Sequence, residues 1–351
     1  MKKHLLRQKS IRFKDCGFRV GVLPRGPRAS IADVRGVMVG HTTLIRGSDI
    51  RTGVTIIDPG VKDLFRNKLP AAIYVGNGFG KLAGITQVEE LGTLEAPLAL
   101  TNTLAVGVVV RGLVDLTIAH TPDLKPYETV NVVVGETNDG MLNAIHKDVV
   151  IAKDVFDAYD ARSSDVKVGN VGAGTGTRCF SWKGGIGTSS RIVAIGRKRF
   201  TVGVLVQTNY GGTLSILGAP VGERLGASDF KEFLKPDGSC MIVLATDAPF
   251  SARDLKRIAK RAFFGMIRTG SIASHGSGDY AIAFSTDRSG QALPDEALNP
   301  FFLAAADATE EAIYDALFAA ETMKGRGGAV LEALPKERVL AMLTESLHEH
   351  E

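Results

Sequence analysis

The chain is poor in cysteine. Its 351 residues hold three, Cys16, Cys179 and Cys240, odd in number and far apart. That argues against a disulfide framework, and none of the spacings is that of a metal site. All three read as reduced thiols. Cys240, inside an apolar run, reads as core, although its place beside Ser239 makes it a rival nucleophile. Long hydrophobic runs are missing too. No segment approaches the roughly 18 to 20 apolar residues of a membrane span, and the start, MKKHLLRQKSIRFK, lacks the apolar stretch of a secretory signal. Charge is nearly balanced, at a formal +4, and aromatic residues make up 7% without interleaving among the basic ones. A nucleic-acid surface is therefore not expected. The expectation is a cytoplasmic protein with no membrane or nucleic-acid partner.

Complete nucleotide motifs are also lacking. GNGFGKLAG, from Gly76 to Gly84, has no third glycine of G-x-G-x-x-G, and Lys81 precedes Leu82 where a P-loop needs Ser or Thr. GAGTGT, from Gly172 to Thr177, places its glycines at alternate positions. A glycine-rich nucleotide-dependent enzyme is thus disfavoured. Alternate glycines in a run of small residues suggest close backbone approach, as in a flat strand or a subunit contact.

What the chain has in quantity is glycine, 40 residues clustered between apolar runs, with 44% apolar residues overall. This is the composition of a globular α/β enzyme with many tight loops. Much of the basic excess lies in the first 28 residues and reads as a solvated arm or an oligomer contact. Strand-like runs recur at Ile31–Val39, Gly53–Ile57, Ala71–Val75 and 130–134, Leu100–Val110 reads as a turn into a buried strand, and a hairpin is expected from Ile192 to Gln207 across Gly196. A helix is expected after Ser251, which can cap it with Asp254 three residues on. Leu255, Ile258, Ala259, Ala262, Phe263 and Met266 give that helix one apolar face. Residues 304–323 form an alanine-rich helix. Gly218–Asp237, charged and without periodicity, reads as an exposed, mobile loop.

The organising stretch is KPDGSCMIVLATDAPF, Lys235 to Phe250. A Pro-Asp-Gly turn runs into Ser239 and then into a core strand. A hydroxyl there can be a nucleophile on a rigid element, or an ordinary strand start. Gly-Ser occurs four times, at Ser48, Ser239, Ser271 and Ser277, so composition does not choose. Other polar groups gather at strand ends, where α/β folds place their ligands. Glu136, Asn138, Asp139 and Asn143 follow one strand, or serve as turn and cap residues. Asn209 follows another, as an oxyanion donor or a turn stabiliser. Ser277 and Asp279 share one face of a strand, as a proton relay or a satisfied turn. His41 reads as structural.

Taken in order, ADVRGVMVGHTTL, GNGFGK, LTNTLAVG, VVVGETNDGMLN, GNVGAGTGT, KGGIGTSSR, VQTNYG, DGSCMIVLATDAP and GSGDYAIAFST resemble the DmpA-type L-aminopeptidase/D-esterase and β-peptidyl aminopeptidase family over roughly residues 30–330. The resemblance implies a single catalytic domain with a four-layer αββα sandwich, like the N-terminal nucleophile hydrolases but differently connected. It implies self-cleavage between Gly238 and Ser239, giving chains 1–238 and 239–351, with Ser239 as the nucleophile. Asn209 resembles the family's oxyanion donor, and Ser277 with Asp279 its orienting pair, the acid being Glu in some members. Glu136, with Asn138 nearby, resembles the acid that holds the substrate ammonium. A tyrosine expected close to that Glu is absent, which leaves the second oxyanion donor open. The implied substrates are short peptides, amino-acid amides or esters; no cofactor or metal is implied, and the assembly is a homo-oligomer, a tetramer by resemblance. A catalytically impaired homologue acting as a binding or assembly protein is the alternative.

Overall fold

The computed structural model describes residues 10–228, 237–289 and 293–348. Two sheets dominate. The first has five strands in the order β1-β2-β6-β7-β4, and the second six in the order β10-β11-β12-β13-β3-β5. In the first sheet β1 is Met38–Arg46, β2 Ile50–Asp58, β4 Leu82–Ala83, β6 Leu98–Asn102 and β7 Val133–Thr137. In the second, β3 is Leu69–Gly78, β5 Thr93–Leu94, β10 Ile186–Ile195, β11 Lys198–Asn209, β12 Asp237–Thr246 and β13 Gly276–Ser285. Two short strands, β8 (Arg178–Cys179) and β9 (Trp182–Lys183), pair outside the sheets. The main helices are α1 (Ile85–Leu91), α2 (Val106–Ala119), α3 (Ala152–Asp160), α4 (Ala252–Arg268), α5 (Leu298–Ala319) and α6 (Lys336–His348).

Three apolar clusters separate four layers. Ile57, Leu98, Leu100 and Val133 of the first sheet pack against Leu205, Met241, Val243 and Ile282 of the second. Behind the second sheet, Ile242, Leu244 and Ala283 meet Leu255, Ile258 and Met266 of α4 and Phe301 and Ile313 of α5. Behind the first, Val54, Ile56 and Val134 meet Val109 and Leu113 of α2 and Val155 of α3. The two sheets thus lie face to face between helices, the αββα sandwich that the resemblance implies. Period-two alternation sorts each strand. In β12, Met241 and Val243 point between the sheets, whereas Cys240, Ile242 and Leu244 point toward the helices.

The helix after Ser251 forms as expected: the Ser251 hydroxyl accepts the Asp254 amide, and Leu255, Ile258, Ala259, Ala262 and Met266 are buried. The hairpin forms too, as β10 and β11 joined at Gly196. Other expectations fail for reasons of context. LTNTLAVGVVV, expected as a turn leading into a strand, is the reverse: it ends a strand at Asn102, and its valines lie in a helix. Asn102 Oδ1 then accepts the amides of Leu104 and Ala105, and α2 begins at Val106. Valines that suit strands are here carried by a helix, because packing on the first sheet outweighs a weak propensity.

GAGTGT is not a strand; Gly172–Gly174 is a short 3-10 turn. Close approach does explain its glycines. A Cβ on Gly176 would lie 2.1 Å from the Arg51 carbonyl oxygen, and one on Gly174 2.5 Å from the Ile186 nitrogen.

The basic N-terminal segment, from residue 10 onward, is not a solvated arm. Arg12 donates to Asp315 at 2.7 Å and Arg25 to Glu311 at 2.7 Å. Glu311 also pairs with the fully buried Arg191 at 2.9 Å. Within Gly218–Asp237 the described part is ordered by Val221, which is buried in a short helical turn; residues 229–236 lie outside the described residues.

Candidate active site

β12 enters the sheet between β11, antiparallel to it, and β13, parallel to it. That register opposes Asn209 to Ser239, and Gly238 to Ser277. Opposed residues share a face, so Asn209 and Ser239 both point between the sheets. The Asn209 Nδ2 donates to Ser239 Oγ at 3.3 Å. The amide cannot turn away freely, because its Oδ1 accepts the Arg178 backbone N–H at 3.0 Å. This tie to β8 was not visible in the sequence. A backbone donor leaves no residue-type signal.

Ser277 and Asp279 come together as predicted, Ser277 Oγ donating to Asp279 Oδ1 at 2.8 Å. They point toward the helices, to the opposite side of the sheet from the Ser239 hydroxyl. What they flank is the peptide that joins Gly238 to Ser239. A Cβ on Gly238 would lie 3.0 Å from Ser277 Oγ and 3.1 Å from the Tyr210 Cβ, so only glycine fits without displacement. Burial pushes the Asp279 carboxyl up to about 6, against the opposing hydrogen bond from Ser277. Its second oxygen, Oδ2, is buried and has no hydrogen-bond partner among the described residues.

Glu136, the penultimate residue of β7, is buried. Its Oε1 accepts the Lys81 amide at 2.9 Å and its Oε2 the Thr103 hydroxyl. The GNGFGK stretch is therefore used after all, as a backbone cradle for a carboxylate. Thr103 is a further member that sequence reasoning missed.

Asn138 is exposed, with Oδ1 accepting the Gly140 amide at 2.9 Å in a tight turn. Asp139 and Asn143 instead hold this loop from within, Asn143 Nδ2 donating to Asp139 Oδ1 at 2.9 Å. Burial raises the Asp139 carboxyl to about 7 and lowers the wholly buried Lys183 ammonium to about 7.

Two tyrosines stand near the site, Tyr210 on the cavity wall and Tyr280 with its ring close to Glu136, and both hydroxyls have partners. The Tyr210 hydroxyl is shared with Thr269 Oγ1 at 3.1 Å, and the Tyr280 hydroxyl donates to the Gly80 carbonyl at 2.9 Å.

Two side readings are settled by burial. Cys240 is fully buried on the helix side and its thiol is pushed well above the ordinary range, so it is core and not a nucleophile. His41 shares a hydrogen bond with Thr55 at 2.9 Å, and burial lowers its pKa to about 4. Among the described residues no cluster of His, Cys, Asp or Glu could hold a metal ion. Nor, among them, is any helix long and apolar enough to cross a membrane.

Ser239, Asn209, Glu136 and Asn138 all line one open cavity of about 1030 Å³. A hydroxyl faced by an anchored amide, with a buried carboxylate on the same cavity wall, is suited to acyl transfer on a substrate carrying a positive charge.

A sequence model of peptidase family S58 matches residues 29–331. The chain belongs to peptidase family S58. It is 39% identical to the β-peptidyl aminopeptidase BapA of Sphingosinicella microcystinivorans, over 95% of this chain and 91% of that one. Against the β-peptidyl aminopeptidase BapA of Sphingosinicella xenopeptidilytica it is 38% identical, over 91% and 87%. Among solved structures, a β-aminopeptidase of a Burkholderia species superposes with a TM-score of 0.87 at 36% identity, covering 95% of this chain and 99% of that one. The L-aminopeptidase D-Ala-esterase/amidase of Ochrobactrum anthropi, described as a prototype serine aminopeptidase and a variant of the Ntn hydrolase fold, also scores 0.87. It shares 34% identity over 95% of this chain and 98% of its own. This S58 chain is accordingly a hydrolase of the serine aminopeptidase class, with the fold of that group.

Proposed function

We propose that the chain cleaves itself between Gly238 and Ser239, and that Ser239 then releases N-terminal residues from short peptides, amino-acid amides or esters. The observation that carries this reading is the 3.3 Å contact of Asn209 with Ser239 inside a cavity that also holds Glu136.

In the first step Ser239 Oγ attacks the Gly238 carbonyl carbon. The acyl group moves from nitrogen to oxygen, and water then hydrolyses the ester to a Gly238 carboxylate and a free Ser239 amine. The tight fit at Gly238 and the unpartnered Asp279 Oδ2 support this step. Cleavage creates an amine beside Ser277 and Asp279, where a buried carboxylate oxygen still needs a donor. This pair serves the serine's nitrogen, while Asn209 serves its oxygen.

The new α-amino group has a reference pKa of about 7.7 to 8.0, so part of it is neutral near neutral pH and can take the hydroxyl proton. Oγ attacks the substrate carbonyl, Asn209 Nδ2 donates to the oxyanion, the leaving amine or alcohol takes the proton, and water frees the acyl enzyme. Glu136 binds the substrate's ammonium, which restricts the reaction to free N-termini.

The test is an intact-mass spectrum of fresh protein beside Ser239→Ala. Two chains of residues 1–238 and 239–351 in the first, and one uncut chain in the second, are expected. A single uncut chain in both would sink the proposal and turn attention to the impaired-homologue alternative.

A further inference from the structure

The cavity is lopsided in charge. Among the described residues four basic side chains, Lys81, Lys147, Arg178 and Arg326, line it beside one carboxylate, Glu136. Lys147 is offset by Asp49, whose Oδ2 lies 2.6 Å from its ammonium. Glu136 is occupied by the Lys81 amide and Thr103 on one side and, on the proposed reading, by the substrate ammonium on the other. Lys81 and Arg326 form no ion pair with a carboxylate among the described residues.

Arg326 is the best placed of these cations. Its backbone N–H donates to the Leu142 carbonyl at 2.8 Å, and its Nε donates to the Gly140 carbonyl at 3.0 Å. The residue before it is locked as well, since a Cβ on Gly325 would lie 2.2 Å from the Leu142 oxygen. The guanidinium is thus fixed at its inner nitrogen against the loop that follows Glu136. Its two terminal nitrogens have no carboxylate partner among the described residues, although the side chain is exposed at the cavity. An anchored guanidinium presents its remaining donors in the fork that matches a carboxylate.

We propose that Arg326, supported by the field of Lys81, receives the free C-terminal carboxylate of the substrate, and that the enzyme prefers di- and tripeptides ending in a free acid over the same peptides ended as amides. The inference rests on the reading of Ser239 and Glu136 given above and adds a second anchor at the other end of the substrate. A cavity of about 1030 Å³ holds a molecule of that size, and charge at both ends fixes its register.

The experiment compares kcat/KM for a dipeptide X-Ala and its C-terminal amide. X is the residue best released from a panel of aminoacyl anilides. The free acid is expected to be favoured by about tenfold, the scale of one charge-assisted hydrogen-bonded pair partly exposed to water. In Arg326→Gln the acid-to-amide ratio should fall to about 1. In the unaltered enzyme the same ratio should shrink as ionic strength rises, a readout that survives even if the variant fails to fold. The ratio ignores any loss common to both substrates, so a merely structural role for Arg326 would leave it unmoved. Equal rates on acid and amide, with anilides turned over, would overturn the carboxylate anchor and leave the aminopeptidase reading intact. Failure on every anilide would remove that reading, and this inference with it.

Discussion

Asn209 and Ser239 face one another across β11 and β12, amide nitrogen to hydroxyl oxygen at 3.3 Å, with the amide pinned from behind by the Arg178 N–H. Antiparallel register alone puts them opposite. The donor is therefore oriented before any substrate arrives, which is what an oxyanion site requires. Asn209→Asp keeps the shape and acceptor but loses the N–H. Turnover of an aminoacyl anilide should fall by about 10²- to 10³-fold, chiefly in kcat. An unchanged kcat would assign Asn209 to turn structure alone.

Gly238→Ala tests the cleavage site from its other side. The added methyl would sit 3.0 Å from Ser277 Oγ and 3.1 Å from the Tyr210 Cβ, one of which must shift. Self-cleavage, followed by gel or mass spectrum over time, should slow at least tenfold, while the uncut chain keeps its circular dichroism. Cleavage at the parent rate would show that the crowding is relieved without consequence.

Glu136 makes a prediction about substrates as well as variants. An α-N-acetylated anilide has no ammonium to place against the carboxylate and should not be turned over. In Glu136→Gln the amide oxygen can keep the Lys81 N–H while the NH₂ donates to the Thr103 hydroxyl, which turns to accept, so the variant removes the charge with little change of shape. A drop in kcat/KM for free aminoacyl anilides of about 10²-fold is expected, from loss of the charged partner of the substrate ammonium. Equal hydrolysis of acetylated and free substrates would exclude an ammonium site at Glu136.

How much of this was legible in the residues depends on how local the cause is. The α4 helix was, because its cap and apolar stripe are written within 16 positions, Ser251 to Met266. The pairing of Ser277 with Asp279 was as well, because alternation in a strand fixes a shared face. Which face was not. That needs the parallel register with β12, a long-range fact that puts the pair on the peptide of Ser239 and not on its hydroxyl. The αββα layering came from the family resemblance, since periodicity does not say which sheet a strand joins. Arg12 and Arg25 were read as part of a solvated arm or an oligomer contact, because their partners within the chain, Asp315 and Glu311, lie some 300 positions away on α5. Lys81 and Thr103 were passed over for a related reason: one acts through its backbone, the other through a hydroxyl common in turns.

Burial of Asp279 sets a pH dependence with a definite sign. Its pKa is raised from 3.8 to about 6 in the folded chain. The folded state thus holds its proton to higher pH than the unfolded state does, and the group's contribution to stability declines as pH rises from about 4 to about 6. Above that window the ionised carboxylate costs roughly 3 kcal/mol, from about two pKa units at 1.36 kcal/mol each. Asp279→Asn removes the titration while keeping an acceptor for the Ser277 hydroxyl. Introduced into the uncut Ser239→Ala chain, where no new amine meets the carboxylate, it should gain relative stability on going from pH 4 to pH 7. The gain is expected to be about 2 to 3 kcal/mol, read from denaturant unfolding at both values. A pH-independent difference would mean that Asp279 stays ionised throughout. In the cleaved enzyme the new ammonium offsets the charge, so there the same substitution should lose its advantage at pH 7 and lower kcat as well.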